Sequence, residues 1–427
     1  MANASLAYLT LLFLPPSLLL LLLALIVRPR PVNVPIKNRN VFITGGSSGI
    51  GLALAHQAAS EGAKVSILAR SLDKLEDAKQ TIQLSTGVKV AVFAADVRDF
   101  DAVQRAVDQA GPIDVLIVNQ GVLVPQELEK QGLDEVKFML DVNLMGSFNM
   151  IKAALPAMKS SRKNRGPASI TLMSSQAGQV GIYGYTAYSA SKFGLRGLAE
   201  ALQQEVIEDN IHVSLVFPPE TETPALAREN EKKPQVTSII AASSAVMKAD
   251  EVAKKALDGI KFARFIIPCN FEGFLLSIAT AGLSPQRSFL MAFIEVIAAG
   301  AIRIAVLCFQ SNCFLGPDRS RQSSLMRVKV YANCSIPVVF SELGMHCLLY
   351  EPQAFLLIWS ILCKSNFSIL VAADIYEPRC MFLVLDAREH CFGLSYMVKA
   401  SDFTGLLKLP LSGFWAARCF HPQHFFF

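Results

Sequence analysis

The sequence of 427 residues has little charge for its length. Asp, Glu, Lys and Arg make up 18% of the chain, against about 25% in an average soluble protein, and 52% of the residues are hydrophobic. This balance excludes a disordered chain. The net charge of +5 is too small to indicate a nucleic-acid partner. We therefore expect a globular, membrane-associated protein that does not bind nucleic acid.

Cysteine is missing from most of the chain. None of the nine cysteines precedes Cys269, and no two of them form a C-x-x-C pair. Residues 40–268 therefore cannot contain a disulfide, which is typical of a protein in a reducing compartment. Without paired cysteines a zinc ribbon is unsupported, so we predict no metal site.

Residues 1–27 contain no charged side chain, and the apolar stretch Ser5–Val27 is long enough to cross a bilayer as a helix. We interpret residues 1–30 as an uncleaved membrane anchor. A cleaved signal peptide is the alternative, but the basic n-region and the small-residue cleavage site are missing. Four basic residues follow the stretch: Arg28, Arg30, Lys37 and Arg39. The positive-inside rule then places the rest of the chain in the cytosol.

Residues 38–270 alternate short β-branched runs with segments of helical periodicity, such as Leu52–Ser60, Ser71–Leu84 and Asp101–Gln109. Strands that alternate with helices indicate βαβ units, and right-handed crossovers then give a doubly wound, Rossmann-type parallel sheet of the α/β class. The predicted strands are Val41–Thr44, Lys64–Ala69, Val88–Ala94, Asp114–Val118, Ser169–Met173, His212–Phe217 and Phe265–Ile267.

A glycine-rich turn, Thr44-Gly-Gly-Ser-Ser-Gly-Ile-Gly51, directly follows the first predicted strand. Glycines permit a tight turn and let backbone amides approach a pyrophosphate at the N-terminus of the next helix. Between a strand and a helix, this pattern predicts a dinucleotide site rather than a plain connection. We assign cofactor contacts there to Gly45, Ser47, Ser48, Gly49, Ile50 and Gly51.

The end of the second predicted strand lacks the acidic residue that would bind the ribose 2′-hydroxyl of NAD. Arg70 stands there instead, and Lys74 follows one turn later. An arginine fork suits a 2′-phosphate, so we predict NADPH as the cofactor; the alternative is a solvated basic residue that opens a helix. We also assign Asp96 and Val97 to the adenine and Asn119 to the ribose, because they end the third and fourth strands.

The chemically reactive residues stand in Ser174-Ser-Gln-Ala-Gly178 and in Tyr188-Ser-Ala-Ser-Lys192. Tyr188 and Lys192 are four residues apart and share one helix face. An ammonium beside a phenol is expected to lower the pKa of the phenol for general acid–base work. Ser175, at the end of a strand, can hydrogen-bond a carbonyl oxygen as charge develops there. A Tyr and a Lys four residues apart on a helix are more often ordinary surface residues. Here they follow a dinucleotide motif, so we interpret them as catalytic.

Together these residues resemble the short-chain dehydrogenase/reductase family. The T-G-x-x-x-G-x-G turn, the N-x-G strand end and the Ser and Tyr-x-x-x-Lys set occur in the family's order between Asn40 and Pro268. The resemblance implies a fourth catalytic residue, Asn143, which helps to hold a proton-relay water. It also implies that Tyr188 and Lys192 contact the cofactor. Two departures are Gln120, where the family usually has alanine, and Pro219, where it usually has glycine.

Within the family, Ser174–Lys192 and Phe217–Pro224 are similar to members that reduce 3-ketosphinganine, a long-chain sphingoid ketone, with NADPH. That similarity implies a reductase of sphingolipid synthesis in the endoplasmic reticulum membrane, with its catalytic domain facing the cytosol. The alternatives are an anchored reductase of steroids or retinoids and a non-catalytic scaffold, which the complete catalytic set disfavours. The family also implies a homo-oligomer, paired through the helices that contain Asn149–Lys159 and Tyr188–Glu208.

Two further segments follow the predicted domain. Residues 271–310 contain the apolar runs Phe274–Leu283 and Phe289–Phe309. Because Glu295 and Arg303 interrupt the second run, a membrane-dipping hairpin and a buried helical cap both remain open. Residues 311–427 hold seven of the nine cysteines and show no sustained helical or alternating period. We expect them to be an atypical extension rather than a domain.

Overall fold

The computed structural model describes residues 2–27, 31–242, 245–314, 368–374, 379–386 and 391–399. Its helices are α1 (Ala2–Val27), α2 (Gly49–Ser60), α3 (Leu72–Thr86), α4 (Phe100–Ala110), α5 (Leu133–Leu140), α6 (Gly146–Arg165), α7 (Thr186–Val206), α8 (Pro224–Asn230), α9 (Gln235–Ala242), α10 (Ala249–Lys261), α11 (Phe271–Ala279) and α12 (Phe289–Phe314). Its strands are β1 (Asn40–Thr44), β2 (Lys64–Ala69), β3 (Ala91–Ala94), β4 (Val115–Val118), β5 (Ala168–Met173), β6 (Ile211–Phe217), β7 (Thr221–Glu222), β8 (Met247–Lys248), β9 (Ile266–Pro268), β10 (Ser368–Asp374), β11 (Arg379–Asp386) and β12 (Cys391–Lys399).

Seven parallel strands form the central sheet, in the order β3-β2-β1-β4-β5-β6-β9. The order reverses between β1 and β4, and doubly wound proteins bind their ligands beyond the carboxyl ends of the strands at such a point. The predicted doubly wound α/β sheet is confirmed. Each of the seven predicted strands begins and ends within three residues of its observed bounds.

Each face of the sheet carries its own hydrophobic core. One core packs Leu54 of α2 and Ile260 of α10 against the sheet, and the other packs Met150 of α6 and Leu202 of α7 against the opposite face. Successive strand residues point to opposite faces, so the run of apolar residues in β1 supplies both cores. This explains why the predicted strands read as continuous apolar runs rather than as alternating ones.

Helices α1, α11 and α12 lie in the predicted membrane segments. Several leucines of α1, such as Leu14 and Leu18, are exposed. Helix α11 docks on the domain, where Gln176 donates to Asn270 over 2.9 Å and Gln179 donates to Ser277 over 2.9 Å. In the described part of the chain, no helix is both long enough and apolar enough to cross a membrane. The transmembrane helix therefore stays a prediction.

The strands β10, β11 and β12 form a small antiparallel sheet in a second compact unit of the chain. The sequence analysis assigned no strands there. Runs such as Ile369–Ala373 are apolar throughout, so their periodicity carries no strand signal. Most of residues 311–427 lies outside the described residues, and their interpretation as an extension stays a prediction.

A buried carboxylate joins the start of β4 to β1 and to the end of α6. Asp114, which is fully buried, accepts from the backbone N–H of Asn40 over 3.0 Å, from Arg162 over 3.0 Å and from Nε of Arg165 over 2.9 Å. Burial acts to raise the pKa of Asp114, but these hydrogen bonds and the charge of Arg165 bring it down to about 2. The ionised carboxylate therefore stabilises the folded domain.

We expect Asp114→Asn to lower the free energy of unfolding by about 3 kcal/mol, because Arg162 would stay buried without its counter-charge. Urea denaturation measures this, and Asp77→Asn on the exposed side of α3 is the control. The difference between wild type and Asp114→Asn should be full above pH 3.8, the ordinary pKa of this carboxyl, and should shrink as the pH falls towards 2. A pH-independent difference would contradict this role for the carboxylate.

Candidate active site

The glycine-rich turn after β1 forms a cradle that side chains would fill. A Cβ on Gly51 would lie 2.2 Å from the Gly45 carbonyl oxygen and 2.6 Å from Asn119 Nδ2. Gly49 has a φ of +55°, in the region that favours glycine. Ser48 stands at the N-cap of α2, and its side chain makes no capping hydrogen bond. The amides of a first helical turn have no partner within the helix, and together with an uncommitted hydroxyl they are the groups that a pyrophosphate requires, so these residues fit a dinucleotide.

The end of β4 is tied to this turn by hydrogen bonds. Asn119 donates through its backbone N–H to Thr44 Oγ1 over 2.8 Å and through Nδ2 to the Thr44 carbonyl over 3.1 Å. Gln120, one of the departures from the family, accepts from the Thr44 hydroxyl and donates to Ser147 Oγ over 3.1 Å. The glutamine therefore links the end of β1 to α6, a contact that alanine cannot make.

Basic side chains surround the ends of β2 and β3. Arg70 is exposed at the end of β2, and Lys74 is exposed in the first turn of α3. Asp96 pairs with Arg98, whose terminal nitrogen donates over 2.7 Å and whose Nε donates over 3.1 Å. These hydrogen bonds lower the pKa of Asp96 against the opposing effect of burial, and the charge of Arg70 contributes. Arg98 was missed by the sequence analysis, although its place two residues after Asp96 was a usable signal.

The two residues assigned to the adenine already make contacts within the protein. The Asp96 carboxylate already has Arg98 as a partner, and Val97 is buried against Gly146, where a Cβ would lie 2.6 Å from Val97 Cγ2. The Val97 carbonyl accepts from Asn149 Nδ2 over 2.8 Å. Asp96 and Val97 therefore line the side of the predicted adenine pocket, and they also offer hydrogen-bond acceptors to the adenine.

Ser175, Tyr188 and Lys192 lie together at the carboxyl end of β5. The Tyr188 phenol hydrogen-bonds with Ser175, and the Lys192 ammonium stands 5.6 Å from the centroid of the Tyr188 ring. Lys192 is buried and donates to the Met173 carbonyl over 2.8 Å. The hydroxyl of Ser174 donates to the Lys192 carbonyl over 3.0 Å, so the strand end holds the helix that carries the pair.

The effect of this environment on Tyr188 differs from the prediction. Burial raises the pKa of Tyr188, the carboxylate of Glu229 raises it further, and the hydrogen bond with Ser175 opposes them. Lys192 lies over the ring face and donates to a backbone carbonyl rather than to the phenol oxygen, so it does not lower the pKa as expected. The phenol is therefore protonated at neutral pH, which is the form that donates a proton to a carbonyl oxygen.

Asn143 lies in a π-helical segment, Asp141–Met145, between α5 and α6. Its buried amide accepts from the Val122 N–H over 2.8 Å and donates to the Val122 carbonyl over 3.0 Å and to Ser191 Oγ over 2.9 Å. Ser191 in turn donates to the Tyr188 carbonyl over 2.6 Å. In this structure Asn143 positions the helix of Tyr188, and its role at a relay water stays a prediction.

Known proteins match this chain closely. Residues 39–234 match the short chain dehydrogenase family. The 3-dehydrosphinganine reductase TSC10A of Arabidopsis thaliana is 68% identical over 286 residues, which cover 67% of this chain and 87% of that enzyme. The 3-ketodihydrosphingosine reductase of Bos taurus is 35% identical over 300 residues, which cover 68% of this chain and 89% of that enzyme. The chain belongs to the short-chain dehydrogenase family.

A solved structure supports the fold. A short-chain type dehydrogenase/reductase from Mycobacterium marinum superimposes with a TM-score of 0.50 and 23% identity, over 55% of this chain and 96% of that chain. Membership of the short-chain dehydrogenase family confirms the predicted oxidoreductase class and the use of NADP(H). Among the residues that the structure describes, no group of three or more His, Cys, Asp or Glu side chains is arranged to hold a metal ion.

We expect Arg70→Asp to lower kcat/KM for NADPH by about 10- to 100-fold and to change it far less for NADH. The 2′-phosphate would lose a cation and meet a carboxylate, whereas NADH carries no phosphate there. Steady-state rates with both cofactors measure the preference. Arg105→Asp makes the same charge change at an exposed position of α4 and should leave the preference unaltered. An unaltered preference in Arg70→Asp would place this residue outside the cofactor site.

Proposed function

We propose that the protein reduces 3-ketosphinganine to sphinganine with NADPH, in sphingolipid biosynthesis. The observation that carries the proposal is the 68% identity, over 87% of its length, to a protein named 3-dehydrosphinganine reductase. The arrangement of Ser175, Tyr188 and Lys192 beside the glycine-rich turn supplies the groups that reduction of a ketone needs.

The residues of the site have separable tasks in this reaction. NADPH, when bound along the glycine-rich turn, supplies the hydride that adds to the carbonyl carbon. Tyr188 donates its phenolic proton to the carbonyl oxygen, and the hydrogen bond from Ser175 polarises that oxygen. Burial lowers the pKa of Lys192 to about 8 against the opposing charge of Glu229, so the side chain is still mostly an ammonium at pH 7. We assign this cation to contact with the cofactor, because it stands 5.6 Å from the centroid of the Tyr188 ring and its hydrogen bond goes to the Met173 carbonyl.

We expect Tyr188→Phe to lower the turnover of 3-ketosphinganine by about 10²- to 10⁴-fold, since the variant keeps the ring but lacks the proton donor. The decrease of NADPH absorbance measures turnover, and the change in NADPH fluorescence on binding measures its affinity, which should change little. Tyr183→Phe is the control, because Tyr183 is exposed and its hydroxyl donates to Glu127. Near-normal turnover by a folded Tyr188→Phe protein would contradict the mechanism. Faster turnover of a ketosteroid than of 3-ketosphinganine by the wild type would contradict the substrate.

We further propose that residues 1–30 anchor the protein in the endoplasmic reticulum membrane, with the catalytic domain facing the cytosol. The charge-free stretch Ser5–Val27 supports this, together with the exposed leucines of α1. Leu283 and Leu290, between and within the C-terminal helices, are exposed as well and offer a second apolar surface. An enzyme held at the bilayer would meet a long-chain ketone where that ketone dissolves.

A chain that starts at Pro31 should lose most of its membrane association, because about 0.8 kcal/mol is lost for each buried CH₂ that leaves the bilayer. Flotation of the chain with liposomes measures this, and the full-length chain in high salt is the control. Complete release would show that residues 274–309 do not embed. Undiminished flotation would contradict the proposed anchor.

A homo-oligomer is a further part of the proposal. Phe148 of α6 and Phe193 of α7 are exposed in the single chain, at 44% and 41% of their surface. They lie in or beside the helices through which the family resemblance implies pairing. Covering these side chains would remove apolar surface from water, which favours association.

A further inference from the structure

The side chain of Gln120 connects the glycine-rich turn to the segment that carries Asn143. Its Oε1 accepts from the Thr44 hydroxyl at the end of β1, and its Nε2 donates to Ser147 Oγ over 3.1 Å and to the Val142 carbonyl over 3.4 Å. The Ser147 hydroxyl in turn donates to the Asn143 carbonyl over 2.7 Å. One side chain therefore bridges the end of β1 and two successive carbonyls of the segment before α6.

Both of these carbonyls belong to the π-helical segment Asp141–Met145, in which the Gly146 N–H donates to the Asp141 carbonyl five residues earlier. Such turns are rare and occur mostly at functional sites. Side-chain donors stabilise this one, because buried carbonyls need partners. A return to the α-helical register would rotate Asn143 by about 100° relative to α6. The π-helical turn therefore decides which way the Asn143 amide faces.

The peptide that follows β4 lies directly against the reactive groups. A Cβ on Gly121 would lie 3.3 Å from Lys192 Nζ and 3.7 Å from Asn143 Oδ1. The Asn143 amide donates to Ser191 Oγ over 2.9 Å, and Ser191 donates to the Tyr188 carbonyl over 2.6 Å. A continuous series of hydrogen bonds therefore runs from the glycine-rich turn to the backbone of Tyr188.

The glycine-rich turn has other hydrogen bonds that do not depend on the Gln120 side chain. The Thr44 hydroxyl accepts from the Asn119 N–H over 2.8 Å and from the Gln120 N–H over 3.2 Å, and the Ile117 carbonyl lies 3.4 Å away as a second acceptor for its proton. The Thr44 carbonyl accepts from Asn119 Nδ2 over 3.1 Å. Loss of the Gln120 amide therefore affects the π-helical segment rather than the turn.

We propose that Gln120 is a positioning residue, which holds Asn143, and through it Tyr188, in place relative to the cofactor site. The substrate carbonyl must meet both the cofactor and the Tyr188 phenol, so a displaced phenol lowers the rate of the chemical step. The affinity for NADPH stays the same, because the turn keeps its own hydrogen bonds. The proposal rests on the proposed function only for the choice of substrate in its kinetic test.

The first experiment uses Gln120→Met, which keeps the length of the side chain but removes its hydrogen bonds. We expect kcat for 3-ketosphinganine with NADPH to fall by about 10-fold, the effect of the lost hydrogen bonds, and the Kd for NADPH to stay nearly unchanged. Gln80→Met, at an exposed position of α3, is the matched control and should change neither constant. An unchanged kcat in Gln120→Met, or a loss of NADPH affinity alone, would overturn the proposal.

Double-mutant cycles test whether Gln120 acts through Asn143. In an Asn143→Ala background, Gln120→Met should lower kcat little further, because the side chain that Gln120 positions is already gone. Ser147→Ala removes the intermediate hydroxyl and provides a second background if Asn143→Ala does not fold. A loss as large as in the wild-type background would show that Gln120 acts independently and would overturn the proposal.

Hydrogen exchange gives a measurement that needs no substrate. The Val122 N–H donates to Asn143 Oδ1 over 2.8 Å, so this amide should exchange about 10-fold faster in Gln120→Met and at the wild-type rate in Gln80→Met. Mass spectrometry of the peptide that contains Val122 measures the rate, and unchanged protection would overturn the positioning of Asn143. If the wild type does not reduce 3-ketosphinganine, the proposed function fails, whereas the exchange rate still decides the role of Gln120.

Discussion

The pocket depends on how closely the turn after β1 approaches the end of β4. Gly51 leaves no room for a Cβ because the Gly45 carbonyl and the Asn119 amide occupy that space. The same approach lets Asn119 hydrogen-bond to both the hydroxyl and the carbonyl of Thr44. The strand ends at the switch point are thereby fixed, and the first turn of α2 faces the crevice that they form. Ser175, which follows β5, is brought to the same edge of the sheet, since β5 lies beside β4.

Burial, rather than proximity of opposite charge, dominates the electrostatics of the reactive groups. It raises the pKa of Tyr188 and lowers that of Lys192, so each side chain is moved towards its neutral form. A phenol that holds its proton suits the direction of ketone reduction, in which the enzyme must give a proton away. Asp114 shows the opposite balance, because its hydrogen bonds to Asn40, Arg162 and Arg165 outweigh burial and keep it ionised. The fold thus uses one charged cluster for stability and a desolvated pair for chemistry.

The sequence predicted much of the fold and the placement of the site. The continuous apolar runs predicted the strands, because a parallel sheet covered on both faces buries every residue of its central strands. The glycine-rich turn and the four-residue spacing of Tyr188 and Lys192 predicted local geometry that depends on few residues. The three-stranded sheet of residues 368–399 carried no periodic signal and was not predicted. The contacts of Thr223 with Gly49 and of Thr237 with Tyr183 were not predicted either, because they join residues that are distant along the chain.

The sequence by itself determined the fold class, the dinucleotide turn and the presence of a Ser, Tyr and Lys set, because each is encoded in short-range spacing. Only the tertiary structure decided how charges balance within the site. It joined Asp96 to Arg98 and used Gln120 to link β1 with α6. The physical reason is that desolvation and Coulomb interactions depend on distances and burial in three dimensions. A residue that belongs to no motif, such as Arg98, can therefore contact a site whose motif is plain in the sequence.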